Sequence, residues 1–204
     1  PPWAIGTDPG GSVRIPAAWN GVTGLKTTIG RISTFGVLPL SPTLDTPGPI
    51  TRDVEDAALL LIVLQGADPR DRRTLGLHDV DPMMNLRRGV KGLRLGRLPS
   101  DERGGVDVDV LAAYDRSVEA LANLGADIVD LSLPARLTEL GKVNAVIMSA
   151  EAYAALSHLV DDNAQQLDSD VRPRVRAGAA ISSRDYLAAL AERAAQWMVH
   201  GNEM

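Results

Sequence analysis

The chain has 204 residues, of which 45% are hydrophobic and 23% charged, with a net charge of −5 and no cysteine. That length and balance suit one ordinary domain with a sizeable buried core. The acidic balance gives no electrostatic footprint for nucleic acid, and the missing thiols exclude disulfides, thiolate catalysis and cysteine-ligated zinc.

The three histidines, His78, His158 and His200, stand far apart in no metal-ligand spacing, so neither a metal nor another cofactor is expected. The longest apolar run, residues 57–64, is too short to span a bilayer. With no signal peptide and no polybasic tail, the expectation is a cytoplasmic protein without a membrane partner. The chain opens on Pro1-Pro2-Trp3-Ala4-Ile5 and closes shortly after Trp197-Met198-Val199. Neither end has the polar composition of a free terminus, so a piece of a longer protein is expected.

Residues 1–51 are rich in Gly, Pro, Ser and Thr with little helical periodicity, which predicts loops and short extended segments. A helix follows, capped by Thr51 or Asp53, favoured by acidic Asp53, Glu55 and Asp56 at its start and stopped by Gly66. Its middle, residues 57–64, is apolar all round and predicts deep burial. Residues 67–89 form a charged connector. The alternation of residues 92–98 predicts a strand, and Val110, Tyr114, Val118, Leu121 and Leu124 recur at helical spacing up to a stop at Gly125. Residues 126–133 predict a second strand ended by Pro134, giving a right-handed βαβ crossover and a partly parallel sheet.

Two more helices are predicted over 137–168 and 183–199, with Val143, Val146, Ile147 and Met148 as core or subunit contacts. Asp101, Glu102, Asp107 and Asp109 read as a solvated helix entrance rather than a metal site. The class is α/β.

The segment that carries chemistry is Gly6-Thr7-Asp8-Pro9-Gly10-Gly11-Ser12-Val13-Arg14-Ile15-Pro16-Ala17. Two glycines allow a tight turn with positive φ and close backbone approach. Successive N–H groups in such a turn form a concave nest for negative charge, and a serine at its end has its hydroxyl beside potential oxyanion donors. A Gly-Gly-Ser turn alone is far more often just a loop. Farther on stand Gly21-Val22-Thr23-Gly24-Leu25-Lys26, then Ser41-Pro42-Thr43-Leu44-Asp45-Thr46-Pro47-Gly48-Pro49 and Thr51-Arg52-Asp53.

With these neighbours the first third of the chain closely resembles the amidase signature family, and the remainder resembles it in its order of elements. The resemblance implies a mixed β-sheet core flanked by α-helices. Residues 1–204 would form one incomplete domain, with the nucleophile loop and signature region in 1–66 and a βαβ unit with its helical continuation in 67–204. It also implies a triad of serine, a second serine after a cis peptide bond, and a neutral lysine as base. Ser12 matches the nucleophile, and the N–H groups of Gly10, Gly11 and Ser12 match an oxyanion hole. No residue here matches the lysine or the second serine, which the family places N-terminal to this motif.

Asp8 and Arg14 occupy positions that the family fills with the same types, and a bracing ion pair is preferred to substrate contact. Lys26 reads as structural, because the family keeps a lysine there beside its catalytic one. Leu25 separates Gly24 from Lys26 and breaks the adjacency that a phosphate-binding loop needs. A serine–histidine–aspartate triad through His78, His158 or His200 finds no support in their neighbours. The sequence departs from the family pattern at Pro9, which lacks a backbone N–H that would face the oxyanion, and at Thr27, where proline is usual.

The expected activity is hydrolysis of a small-molecule carboxamide through an acyl-serine, with no direct nucleic-acid partner and a homodimer as the family-based expectation. The alternatives are the amidase subunit of a glutamine-dependent tRNA amidotransferase and a non-catalytic remnant. Pro42-Thr43-Leu44-Asp45-Thr46, in place of the Ser-Ser-Leu-Asp-Gln of tRNA-linked members, argues against the first. The 1–204 chain alone is expected to show no turnover.

Overall fold

The computed structural model describes residues 2–133 and 135–201, with residues 197–201 described by backbone alone. Trp3–Thr7 (β1), Thr23–Gly24 (β2) and Pro47–Thr51 (β3) form an antiparallel sheet with β3 in the middle. Proline is rare in a central strand because it cannot donate to the ladder. Pro47 and Pro49 alternate with Gly48, so both missing donors fall on the same edge, toward β2. At these two positions the edge offers acceptors alone. The Leu25 N–H donates to the Pro49 carbonyl at 3.0 Å, and the Thr27 hydroxyl donates to the Pro47 carbonyl at 3.1 Å.

A short helix, Arg14–Trp19 (α1), breaks the region predicted to be loops and strands. Pro16 sits in its first turn, where proline is tolerated. Val54–Leu64 (α2) starts at Asp53, whose carboxylate accepts the Asp56 N–H at 2.9 Å. The deep burial expected of α2 is corrected. Ala57, Ala58 and Leu61 are buried and the helix packs on β3, while Val54, Leu59, Ile62 and Val63 are exposed, Val63 by 76%. An all-round apolar helix needs cover on every side, and the described residues supply it on one.

In the connector, Asp68 pairs with Arg70 and Asp71 with Arg73 around a 3₁₀ turn at Arg72–Thr74. Arg94–Arg97 (β4), Val108–Asn123 (α3) and Asp127–Asp130 (β5) then make the expected unit, with β4 and β5 parallel in a sheet of their own. Gly125, at φ +93°, turns the chain out of α3, and Asp107 caps the helix start by accepting the Asp109 N–H. Asp101 and Glu102 pair with Arg136. The predicted strand end at Pro134 lies outside the described residues.

Leu137–Val160 (α4) is the organising helix of the C-terminal half. It ends well before the predicted residue 168, because Asp162 and Asp168 turn the chain by accepting the N–H groups of Ala164 and Asp170. The Arg172 guanidinium closes the same loop by donating to the carbonyls of Val160, Asp162 and Gln165. Val171–Arg176 (α5) and Ser183–Gly201 (α6) pack on α4. One buried cluster joins Ile147 of α4, Ala189 of α6 and Leu44, and the other joins Ala152, Val160 and Val175. By length and composition α4 could cross a membrane. In this fold it is a packed helix that carries Glu139, Lys142 and the buried Glu151.

Candidate active site

Ser12 stands in the turn that links β1 to α1 and is exposed, while Asp8, Pro9, Gly11 and Val13 around it are buried. The turn is held from within by Asp8. Its carboxylate accepts the N–H groups of Gly11, Val13 (3.3 Å) and Arg14 (3.4 Å), and receives the Arg14 guanidinium at 2.9 Å and 3.1 Å. Burial disfavours the Asp8 carboxylate, but the Arg14 guanidinium and these N–H groups outweigh it, so its pKa lies below the ordinary Asp value. The Asp8–Arg14 pair is therefore present, with Asp8 wholly buried and the Arg14 side chain 55% exposed.

The two glycines have different jobs. Gly11 has φ +131°, and a Cβ there would lie 2.5 Å from Ile15 Cδ1, so the position demands glycine. Gly10 has no such constraint, and a Cβ there would meet Asn144 Nδ2 at 3.7 Å and Met148 Sδ at 3.8 Å, ordinary contacts. Of the three N–H groups expected to face an oxyanion, that of Gly11 donates to Asp8 Oδ1. Among the described residues, the N–H groups of Gly10 and Ser12 have no acceptor.

The loop is also held from outside. The Asp8 N–H donates to the Thr46 carbonyl at 2.9 Å, and Asn144 Nδ2 donates to the Pro9 carbonyl at 3.3 Å. The 40–46 segment is in turn fixed by Asp45, which accepts the N–H groups of Leu40 and Ser41, and by Glu151. Glu151 accepts the Ser41 hydroxyl (2.6 Å), the Thr43 N–H (3.0 Å) and hydroxyl (2.7 Å), and the Tyr186 hydroxyl (2.7 Å). Burial alone would raise the Glu151 pKa, yet these donors lower it below the ordinary Glu value.

Lys26 donates to the Thr27 carbonyl at 3.1 Å and makes no hydrogen bond to Ser12. Burial lowers its pKa, with Asp8 opposing and Arg14 assisting. Neither His78 nor His158 hydrogen-bonds Ser12, and the His200 side chain lies outside the described residues. At Thr27 the departure from proline supplies the hydroxyl that holds Pro47. Sequence reasoning missed Asn144, Glu151 and Tyr186. The available signal was a polar ridge, Asn144 and Glu151 two helical turns apart on an otherwise apolar stretch of α4.

The family model described as Amidase matches residues 1–198. The chain is similar to a glutamyl-tRNA(Gln) amidotransferase subunit of Rubrobacter xylanophilus, at 46% identity over 133 residues, covering 65% of this chain and 28% of the relative. It is also similar to an amidase of Pseudomonas putida, at 40% identity over 187 residues, covering 91% of this chain and 40% of the relative. A solved amidase structure superposes with a TM-score of 0.78 at 34% identity, over 96% of this chain and 41% of that one. The chain thus spans less than half the length of these proteins.

Proposed function

The chain belongs to the amidase family, and on that premise we propose that Ser12 is the nucleophile of an amide hydrolase acting on a small carboxamide. The Ser12 oxygen attacks the amide carbonyl and its proton passes to a base. The C–N bond breaks as the nitrogen takes a proton, and water then cleaves the acyl-serine ester to release the acid. The observation that carries this reading is an exposed serine on a turn over-determined by buried Asp8, with the Gly10 and Ser12 N–H groups left unspent beside it. Such preorganised donors are what a developing oxyanion needs. The base and the relaying serine are assigned to the larger amidase domain beyond residues 1–204, so the 1–204 chain alone is expected to show no turnover. A cytoplasmic location goes with this reading.

The test is labelling of the native protein with a fluorophosphonate, followed by mapping of the adduct. Attachment at Ser12, with loss of labelling and amide turnover in Ser12→Ala, is the expected result. Full turnover by Ser12→Ala overturns the reading. The second reading, the amidase subunit of a tRNA amidotransferase, is favoured by the 46% identity to one such protein. Co-purification with partner subunits and dependence of turnover on glutamine would select it.

A further inference from the structure

We propose that Asn144 is a positioning residue for the oxyanion hole, acting through the peptide unit that joins Pro9 to Gly10. This rests on the reading of Ser12 as the nucleophile. A trans peptide is a rigid plane whose C=O and N–H point in opposite directions, and the Pro9–Gly10 bond is trans. Asn144 Nδ2 donates to the Pro9 carbonyl at 3.3 Å and so fixes one end of that plane. The other end is the Gly10 N–H, which is thereby aimed away from α4. A hydrogen bond at the carbonyl also polarises the same peptide and makes its N–H a better donor.

Two further observations give this contact its weight. Pro9 has no N–H, and the Gly11 N–H is committed to Asp8, so the loop keeps few donors for an oxyanion, and Gly10 supplies one of them. Gly10 is also less fixed by its own geometry than Gly11, since it lacks the positive φ and the close Ile15 contact found there. An outside restraint is needed there, and α4 supplies it from a well-anchored position. Ile147, three residues beyond Asn144, is fully buried with Leu44, and Glu151, seven beyond, is held by Ser41, Thr43 and Tyr186.

The experiment measures the rate of fluorophosphonate inactivation of the native protein, separated into the initial binding constant and the limiting rate. Phosphonylation builds negative charge on a phosphoryl oxygen at the oxyanion position, so the limiting rate reads the hole without a known substrate. Asn144→Asp keeps the shape without the donor, Asn144→Leu removes all polarity, and Asn144→Gln keeps an amide donor. Direct loss of an oxyanion donor costs about 10²–10³ in rate, so misaiming one should slow the limiting rate about tenfold in the Asp and Leu variants. The binding constant is expected to hold and the Gln variant to recover most of the rate. Native limiting rates in the Asp and Leu variants overturn the proposal while the Ser12 reading stands. Equal slowing in all three overturns it in favour of a packing role. Labelling of Ser12→Ala at the native rate brings down the Ser12 reading, and this proposal with it.

Discussion

The Ser41 hydroxyl donates to the Glu151 carboxylate at 2.6 Å, closing 110 residues of sequence in one buried hydrogen bond. Together with the Thr43 and Tyr186 donors it ties the 41–46 segment, α4 and α6 into one polar node. That node lies one step from the loop that carries Ser12, because the Thr46 carbonyl accepts the Asp8 N–H. Glu151→Gln would replace an acceptor oxygen with an NH₂ group facing hydroxyl donors. The expected loss is about 2–3 kcal/mol, since hydrogen bonds to a charged group are the stronger ones and buried donors would be left unpaired. A urea midpoint equal to that of the native protein would refute this.

Acid should unfold the protein through the same groups. Asp8, Asp71 and Glu151 all have pKa values held below their ordinary values, 3.8 for Asp and 4.5 for Glu. For Asp8 and Glu151 the donors prevail over burial, and for Asp71 the Arg73 guanidinium leads. A carboxyl whose folded pKa is depressed stabilises the fold above its unfolded pKa, and that contribution is lost as pH falls through the folded value. The melting temperature is therefore expected to stay level down to about pH 5 and to drop steadily below about pH 4. A melting temperature unchanged between about pH 7 and about pH 3, followed by circular dichroism, would count against these carboxylates as stabilisers.

Much of this site was legible in the chain because its parts are local. Asp8, Gly11, Ser12 and Arg14 lie within one turn, where spacing alone limits the geometry, and the Asp8–Arg14 pair follows from six residues of separation. The βαβ unit was legible for the same reason, through period-two and helical patterns on either side of Gly125. Asn144 was not, because a contact over 135 residues depends on how α4 crosses the loop. The fate of the Gly11 N–H also escaped, since composition does not say which acceptor an N–H will choose. The depth of α2 was misjudged because an apolar sequence states a need for cover, not whether the cover lies in the same stretch of chain.

The two glycines before Ser12 should respond differently to a methyl group. Gly11→Ala forces an L-residue to φ +131° with Cβ 2.5 Å from Ile15 Cδ1. A cost of about 1–3 kcal/mol is expected from the backbone strain, the exposed Ile15 side chain yielding to the methyl group. Gly10→Ala meets only contacts of 3.7 Å and 3.8 Å. Its stability should stay within about 0.5 kcal/mol of native, as for a substitution with no named mechanism of damage. Chemical denaturation of both variants checks the contrast, and equal losses would contradict it.

At Pro9 the expectation is a gain. Pro9→Thr restores a backbone N–H beside a loop whose Gly11 N–H is already spent. If that N–H faces the oxyanion, as the family pattern implies, kcat should rise by about tenfold, a fraction of the 10²–10³ that one donor can supply. An unchanged kcat would refute a catalytic role for a donor at position 9.

Lys26 offers the sharpest test of which lysine does chemistry. Burial lowers its pKa, the direction a base requires, so the shift alone would make it a candidate. Geometry argues the other way. Its ammonium donates to the adjoining Thr27 carbonyl, and Thr27 itself anchors Pro47 of β3, so the segment serves the sheet beneath the loop. Lys26→Met keeps the buried stem and removes the charge, and the rate should fall by less than about tenfold. Loss of a true general base costs about 10²–10⁴ and deletes one limb of the pH–rate profile. The profile of Lys26→Met should keep both limbs at their native pH values. A missing limb would move the base from the rest of the domain onto Lys26 and make residues 1–204 more self-sufficient than proposed.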